Sequence, residues 1–271
     1  QSYLEAIKRL NGRPLTIRTL DLGADKLAPG DYTPVSENNP FLGCRSIRLC
    51  LQNLKLFKTQ LRAILRASAS GPMRIMFPLI SSIMELRQAK MILSDVMEDL
   101  EDEGIAFDRK IPVGIMVEVP AAAIQAKTLA KEVDFFSIGT NDLIQYTIAV
   151  DRGNERIASL YSSGHPAVIQ LVKDIVRAAN RAKIEVSICG EMAGEPEYVM
   201  LLLGLGLRSL SITPPAVPEV KRVIRSVSIS QCQRLARKVG AMESDREVTN
   251  FVRDELRKVL PEIYRDRRFE S

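Results

Sequence analysis

Two carboxylates follow apolar, strand-like segments of the sequence. Glu118 closes the run 113–119, and Asp142 follows the run 135–139 within the motif Gly-Thr-Asn-Asp. A helical pattern that contains Gln125 separates the two runs. Carboxylates at the ends of neighbouring strands, separated by one helix, suit a divalent cation at the top of an α/β sheet or barrel. We therefore predict that Glu118 and Asp142 bind Mg2+ or Mn2+, with two ordinary strand-end carboxylates as the alternative.

Four arginines form a second candidate group. Arg18 ends one strand-like run, Arg74 opens another, Arg45 lies in Gly-Cys-Arg, and Arg152 follows the Asp142 segment. A guanidinium beside a buried strand is costly unless an anion pairs with it. Taken singly, each is more simply a salt-bridged surface arginine. If all four converge on one barrel mouth, they form a clamp for phosphate and carboxylate groups.

The cysteines suggest one reactive thiol. Cys189 stands at the end of an apolar run and is followed by glycine, an open position where a thiol could act as an acid or a nucleophile. A buried, inert thiol is the commoner role, and we expect it for Cys44, Cys50 and Cys232. No CxxC pair and only one histidine are present, which does not favour zinc. The single histidine, His165, lies in a turn before a helical pattern, where a structural role is the usual one.

Composition narrows the class of protein. The 271 residues are 46% hydrophobic, with a formal net charge of +5. Aromatic residues make up only 5% and tryptophan is absent, so platforms for nucleic-acid bases are scarce. No apolar run reaches the ~20 residues of a membrane span. We expect a cytoplasmic enzyme with reduced thiols that neither binds nucleic acid nor inserts into a membrane.

Alternating patterns predict an α/β fold with a parallel sheet. Candidate strands lie at 15–21, 73–79, 113–119, 135–139, 185–189 and 209–213, each apolar as in strands covered on both faces. Candidate helices lie at 54–67, 83–100, 121–131, 167–182 and 197–204. A doubly wound sheet would gather ligands at one switch point, whereas functional residues at nearly every strand end favour a (β/α)8 TIM-type barrel. Of the two missing strands, one is either hidden at 41–49 or lost from a missing N-terminus. We expect at least the latter, so that the chain is a fragment of a longer protein.

Charged amphipathic helices are expected after the prolines near residue 215. Residues 219–225, 230–240 and 247–260 show this pattern, with a helix start at 245–247. We interpret 1–271 as a single barrel domain in which residues 219–271 cover the barrel or form a dimer interface.

Several motifs resemble one family of enzymes. The segments 17–21, 39–48, 60–67, 74–78, 114–123 and 131–154, together with Cys-Gly-Glu-Met-Ala-Gly at 189–194, cover nearly the whole chain. They are similar to the C-terminal phosphoenolpyruvate-binding domain of Enzyme I, the phosphoenolpyruvate–protein phosphotransferase of the bacterial sugar phosphotransferase system. Pyruvate phosphate dikinase and phosphoenolpyruvate synthase look similar in the barrel and are the alternative within this class.

The resemblance implies a mechanism. Phosphoenolpyruvate binds with Mg2+ on Glu118 and Asp142, and Asn141 orients it. Arginines at positions 18, 45, 74 and 152 neutralise its phosphate. The phosphoryl group passes to a histidine on a separate domain, and through it to the small histidine carrier protein. Cys189 then protonates the enolate to give pyruvate. The family also implies a homodimer.

The sequence departs from the family at some positions. Gly-Ala-Asp at 23–25 replaces a usual double glycine, Cys44 stands where an aromatic is common, and His165-Pro166 does not match the motif of the acceptor histidine. The residues distinguish neither a sugar-uptake from a nitrogen-regulatory branch nor one downstream carrier from another. A non-enzyme reading, a phosphoenolpyruvate-sensing or dimerisation module, is the third hypothesis.

Overall fold

The computed structural model of the protein describes residues 1–22 and 37–262, in which strands and helices alternate. The elements before residue 118 are, in chain order, α1 (Ser2–Leu10), β1 (Leu15–Arg18), α2 (Ser46–Gln52), α3 (Leu54–Ser68), β2 (Met73–Phe77), α4 (Ile83–Asp102) and β3 (Val113–Val117). Those that follow are α5 (Pro120–Ile124), α6 (Ala126–Leu129), β4 (Phe135–Gly139), α7 (Thr140–Ile148), α8 (Pro166–Ala182), β5 (Glu185–Cys189), α9 (Glu191–Gly194), α10 (Pro196–Leu205), β6 (Ser209–Leu210), α11 (Val217–Ser226), α12 (Ile229–Val239) and α13 (Asp245–Val259).

The strands form one sheet in the order β1-β2-β3-β4-β5-β6, which is their order in the sequence. Leu15 pairs with Met73, Ile75 with Val113, and Ser187 with Ser209, each in a parallel register. A doubly wound sheet reverses its strand order at a switch point, and this sheet does not. The described residues thus contain six strands with the topology of a (β/α)8 barrel, which confirms the predicted fold class.

The described residues divide into two compact units. The first consists of Gln1–Met116 and Glu132–Phe135, and the second of Val117–Lys131 and the described residues from Phe136 onwards. That residues 1–271 act as a single barrel domain stays a prediction.

The core of the first unit forms where α3 packs on β2. Asn53 starts α3 by accepting a hydrogen bond from the Leu56 N–H at 3.1 Å. Phe57 of α3 and Phe77 of β2 are both fully buried, and their rings meet edge to face with centroids 6.0 Å apart. Burial of two phenylalanines in this geometry fixes α3 against the strand. This contact supports the segment that contributes Arg45.

The second unit is built around α8 and α10. Both begin with proline at their first positions, which suits a helix start because proline has no N–H to satisfy. Helix α10 is buried along most of its length, and α12 and α13 pack against it. Ser228 and Ser244 start α12 and α13 with capping boxes. The charged helices predicted after residue 219 are therefore present, and residues 263–271 lie outside the described part of the chain.

Some local expectations differ from the structure. Residues 41–49, one of the two alternatives for a missing strand, form none: a 3-10 turn at Pro40–Leu42 leads into α2. The helix expected at 121–131 is two short helices that meet at Gln125. Helix α7, which follows β4 directly, was not among the expected helices. Strands β3 and β4 are buried throughout. Strand β1 alternates between half-buried and exposed residues, and β5 alternates between buried and more exposed ones, so the expectation that all strands are covered on both faces holds only for part of the sheet.

Among the described residues, none of the helices combines the length and the apolar character needed to cross a membrane.

The crossing of α10 and α12 gives a first prediction. A Cβ at Gly204 would overlap the Cys232 carbonyl oxygen and lie 2.9 Å from the Ala236 Cβ. Since the obstacle includes backbone, Gly204→Ala should destabilise the protein by about 1–3 kcal/mol, although alanine is the better helix former. Gly240→Ala is the matched control, because its Cβ would meet nothing closer than 3.5 Å. We expect urea unfolding to show a lower midpoint for Gly204→Ala alone, and equal midpoints would contradict the tight crossing.

Candidate active site

Two buried carboxylates occupy the carboxyl ends of β3 and β4. Glu118 directly follows β3 and is 2% exposed, and Asp142 is 6% exposed. Strand β4 runs without a loop into α7, so Asp142 lies in the first turn of that helix. The helix dipole favours a negative charge there. The predicted pair is thus present, held by regular structure rather than by a loop.

The donor set of this pair fits a magnesium ion that shares its coordination with a substrate. In phosphoryl-transfer sites, Mg2+ usually takes one or two carboxylates and completes its shell with substrate phosphates and water. Within residues 1–22 and 37–262, no group of three or more His, Cys, Asp or Glu side chains could hold a metal. Two carboxylates would leave the remaining coordination positions of such an ion to substrate and water.

The ends of β4 and β5 are joined by hydrogen bonds between α7 and α9. The Thr140 hydroxyl donates to the Cys189 carbonyl at 2.8 Å. The Glu191 N–H donates to Asn141 Oδ1 at 2.9 Å, and Asn141 Nδ2 donates to Glu191 Oε1 at 3.5 Å. Asn141, predicted as a substrate ligand, is thereby fixed in orientation beside Cys189.

Gly190 makes this junction possible. Its φ of +93° is unfavourable for residues with a side chain. A Cβ there would overlap the Thr140 hydroxyl and lie 2.7 Å from Asn141 Oδ1. Glycine is required at this position on both counts.

Arg152 and Tyr161 complete the cluster in the second unit. Arg152 Nη1 lies 3.9 Å from Glu191 Oε1, and its backbone N–H donates to Gln145 Oε1 at 3.2 Å. The Tyr161 hydroxyl donates to the Asn141 carbonyl at 3.2 Å. Burial, followed by the nearby Glu191 carboxylate, raises the pKa of the Tyr161 phenol above its usual value, so this donor keeps its proton at neutral pH.

The four cysteines differ in their surroundings. Cys189 is half-buried; its thiol donates to the Ile138 carbonyl at 3.4 Å and lies 3.8 Å from the Ser137 hydroxyl. Burial raises the pKa of the Cys50 thiol to about 12 and also raises that of Cys232, so both stay protonated and inert as predicted. Cys44 was expected to be buried, but it is only half-buried. Its thiol donates a hydrogen bond to Gln52 Oε1 at 3.2 Å.

In the first unit, Asp21 brings Arg18 and Arg45 together. Asp21 Oδ2 lies 3.3 Å from Arg18 Nη1, and Asp21 Oδ1 lies 3.1 Å from Arg45 Nη2. The side chains of Arg45 and Asp21 are only 11% and 12% exposed. The guanidinium of Arg45 also lies 5.8 Å from the Phe41 ring. One carboxylate thus positions two of the predicted phosphate-binding arginines.

Arg74 has a different environment. It pairs in register with Thr16, two residues before Arg18 on the neighbouring strand, near the amino end of β2. Its guanidinium lies 5.5 Å from the centroid of the Phe135 ring, a favourable cation–π contact. A Cβ at position 114 would collide with the Phe135 ring, so the glycine leaves space for the ring. That Arg74 contacts the ligand stays a prediction.

His165 has a structural contact. Its Nδ1 accepts a hydrogen bond from the Ala167 N–H at 3.2 Å and so caps the start of α8.

Known proteins similar to this chain point to one enzyme family. The family described as "PEP-utilising enzyme, PEP-binding domain" matches residues 1–229. The chain belongs to this family. Phosphoenolpyruvate-protein phosphotransferases from Geobacillus stearothermophilus and Haemophilus influenzae are 46% and 45% identical to it, over 93% of the chain. These matches confirm the predicted resemblance to Enzyme I.

The chain is shorter than these relatives. It spans 43% of the Geobacillus stearothermophilus protein and 44% of the Haemophilus influenzae protein. A citrate lyase from Burkholderia xenovorans LB400 has 17% sequence identity and a TM-score of 0.48, covering 72% of this chain and 65% of its own. At this distance it does not bear on the fold, which we assign from strand order alone.

Three residues to which the sequence analysis assigned no role contact the predicted ones. Asp21 and Glu191 stand inside the quoted motifs, and each is an acid near an arginine in the folded chain. Tyr161 lies outside the recognised motifs, and nothing in the sequence indicates its contact with Asn141, which is 20 residues away.

The shared carboxylate of Asp21 gives the second prediction. Asp21→Asn keeps the size of the side chain but leaves Arg18 and Arg45 without their common counter-charge. We expect a loss of about 1–3 kcal/mol in unfolding free energy, because one partner of a largely buried ion pair is removed. Asp95→Asn, which breaks the exposed Lys58–Asp95 pair, is the control and should change stability by about 0.5 kcal/mol or less. Equal effects of both substitutions in urea unfolding would show that Asp21 is not the organising acid.

Proposed function

We propose that this chain binds phosphoenolpyruvate with Mg2+ and donates its phosphoryl group to a histidine on a separate domain, releasing pyruvate. The observation that carries the proposal is the family match over residues 1–229, a span that includes every predicted site residue. The protein would then be the catalytic part of a phosphoenolpyruvate–protein phosphotransferase, as its relatives are named.

The arginines supply the charge that this reaction needs. Phosphoryl transfer depends mainly on positioning and on electrostatic stabilisation of the transferring group. In the proposal, Arg18, Arg45 and Arg152 contact the phosphate or carboxylate of the substrate, and Asn141 orients it. The pairing of Arg18 and Arg45 through Asp21 supports this role, because the two cations are held before any ligand arrives. Arg74, stacked on Phe135, stays a prediction from the sequence.

The proposed reaction is a phosphoryl transfer followed by protonation of the enolate by one thiol. The bond between phosphorus and the enol oxygen breaks as a bond from phosphorus to the acceptor histidine nitrogen forms. The enolate left behind takes a proton at its methylene carbon from the Cys189 thiol, and pyruvate leaves. The half-exposed position of Cys189 beside Asn141 supports its role as that acid.

Glu118 and Asp142 would hold the cation. When bound there, Mg2+ would neutralise charge on the phosphate oxygens. The position of the two carboxylates at the ends of neighbouring strands supports this assignment, since carboxylate oxygens are the ligands that Mg2+ prefers.

The wider setting is also part of the proposal. We infer that the histidine domain belongs to the same full-length protein, that it passes the phosphoryl group to the small histidine carrier protein for sugar uptake in the cytoplasm, and that the chain forms a homodimer. The names of the relatives favour this branch over a dikinase or synthase.

The metal assignment gives the third prediction. Glu118→Gln or Asp142→Asn removes one charged oxygen ligand and should weaken Mg2+-dependent binding of phosphoenolpyruvate on the order of tenfold or more. Asp174→Asn, which alters an exposed acid paired with Arg177, is the control and should bind as wild type does. Calorimetric titration with and without Mg2+ measures this, and unchanged affinity in both site variants would remove the metal assignment.

The fourth prediction separates phosphoryl departure from protonation. Cys189→Ser should leave phosphoenolpyruvate binding nearly intact, because the serine hydroxyl fits the same space. It should slow proton exchange at the methylene carbon and net pyruvate formation by about 10²–10⁴-fold, since a hydroxyl is a far weaker acid than a thiol. NMR of methylene exchange, with the histidine domain added in trans, is the measurement. Wild-type exchange in the serine variant would reduce Cys189 to a packing residue.

A further inference from the structure

The carboxylate of Glu191 contacts two of the proposed substrate donors at once. Its Oε1 lies 3.5 Å from Asn141 Nδ2 and 3.9 Å from Arg152 Nη1. Its charge, together with those of Asp142 and Glu195, also helps burial to raise the pKa of the Tyr161 phenol. A single exposed oxygen therefore lies where an anionic ligand held by Asn141 and Arg152 would place its own oxygen.

The carboxylate is not what fixes the local structure. The start of α9 is tied to α7 through the backbone N–H of Glu191, which donates to Asn141 Oδ1 at 2.9 Å, and through the Thr140 hydroxyl on the Cys189 carbonyl. Both contacts of the Glu191 carboxylate are longer than these, and its side chain is 66% exposed. It has room to move away, and leaving costs little because exposed ion pairs are weak.

We propose that Glu191 is a placeholder anion: its carboxylate holds the Arg152 guanidinium and the Asn141 amide until phosphoenolpyruvate displaces it. The inference rests on the proposed function, since it concerns the same ligand. Glu191 acts through Asn141 and Arg152 and is thus a positioning residue that competes with the substrate. Its presence keeps the two donors oriented, and its negative charge weakens binding of an anionic ligand.

The negative charge of Glu191 determines the direction in which its substitution should change ligand binding. Glu191→Gln keeps an oxygen that can accept from Asn141 Nδ2 but removes the charge that opposes an incoming phosphate. Phosphoenolpyruvate should then bind more tightly, by roughly two- to fivefold, the range that one exposed ion pair spans. The gain should shrink as salt is raised, because screening weakens exposed charges.

The experiment is calorimetric titration of the whole chain with phosphoenolpyruvate and Mg2+ at low and high salt. It compares wild type, Glu191→Gln and the control Glu155→Gln. Glu155 is an exposed acid three residues after Arg152 that forms no ion pair among the described residues, so its substitution changes net charge equally without touching the proposed contact. Inorganic phosphate serves as a second probe, and thermal unfolding of each variant is recorded alongside.

Each outcome decides the proposal. Tighter binding by Glu191→Gln alone, with an unchanged melting temperature and a gain that fades in salt, supports it. Equal gains in both variants would reduce the effect to net charge and overturn the placeholder role. Weaker binding by Glu191→Gln with a lowered melting temperature would make Glu191 a structural residue. If wild type binds phosphoenolpyruvate but Glu191→Gln is no different, only this inference fails. If wild type binds neither phosphoenolpyruvate nor phosphate, the proposed function fails and this inference with it.

Discussion

The backbone of Gly190 approaches the Thr140–Asn141 turn so closely that no side chain fits between them. This approach is what allows the carboxyl ends of β4 and β5 to share hydrogen bonds, and the candidate residues of the second unit depend on it. Asn141 is oriented from α9, Cys189 is anchored from α7, and Arg152 meets a carboxylate that starts α9. The geometry is carried by backbone groups and short side chains, which lose little conformational entropy when they are fixed. Such an arrangement suits a site in which positioning contributes most of the catalysis.

In the first unit, two positively charged side chains lie near the same acid. Asp21 offers one carboxylate oxygen to each of Arg18 and Arg45. Two guanidinium groups thus share this carboxylate at the carboxyl end of β1. Arg45 is the more buried of the two arginines, and the Phe41 ring covers it. Its donors are therefore confined to a narrow range of directions, whereas Arg18 keeps more freedom to adjust.

The regular parts of the fold could be predicted from local pattern. The six strands were found because each is a short apolar run between turns, and α8 because its apolar positions repeat at helical spacing. Residues 41–49, one of the two alternatives for a missing strand, form none, because Pro40 and the mixed polarity that follows favour a turn and a short helix. Helix α7 was missed since Gly139 and Asn141 suggest a loop, while in the structure the asparagine side chain bonds across to α9. Local sequence propensity cannot predict that hydrogen bond, because its two partners are 50 residues apart in the chain.

Candidate residues are easier to identify in a sequence than the contacts that position them. Residue type and strand-end position single out Glu118, Asp142 and Cys189, whose roles stay predictions. The contacts of Asp21 with the arginines, and of Tyr161 with Asn141, join segments that are apart in the sequence, so they are visible only in the folded chain. The contact of Arg74 with the ring of Phe135 is likewise absent from any local pattern.

The cap at the start of α8 has a consequence for the ring chemistry of His165. Because Nδ1 accepts the Ala167 N–H, the neutral imidazole must carry its proton on Nε2, so one tautomer is selected by the helix. Any group attached to Nδ1, a proton included, would leave the Ala167 N–H without this acceptor and loosen the first turn of α8. Only Nε2 is available for exchange with solvent or for covalent modification without that loss. The fold thus distinguishes the two nitrogens of the single histidine and reserves one of them for the backbone.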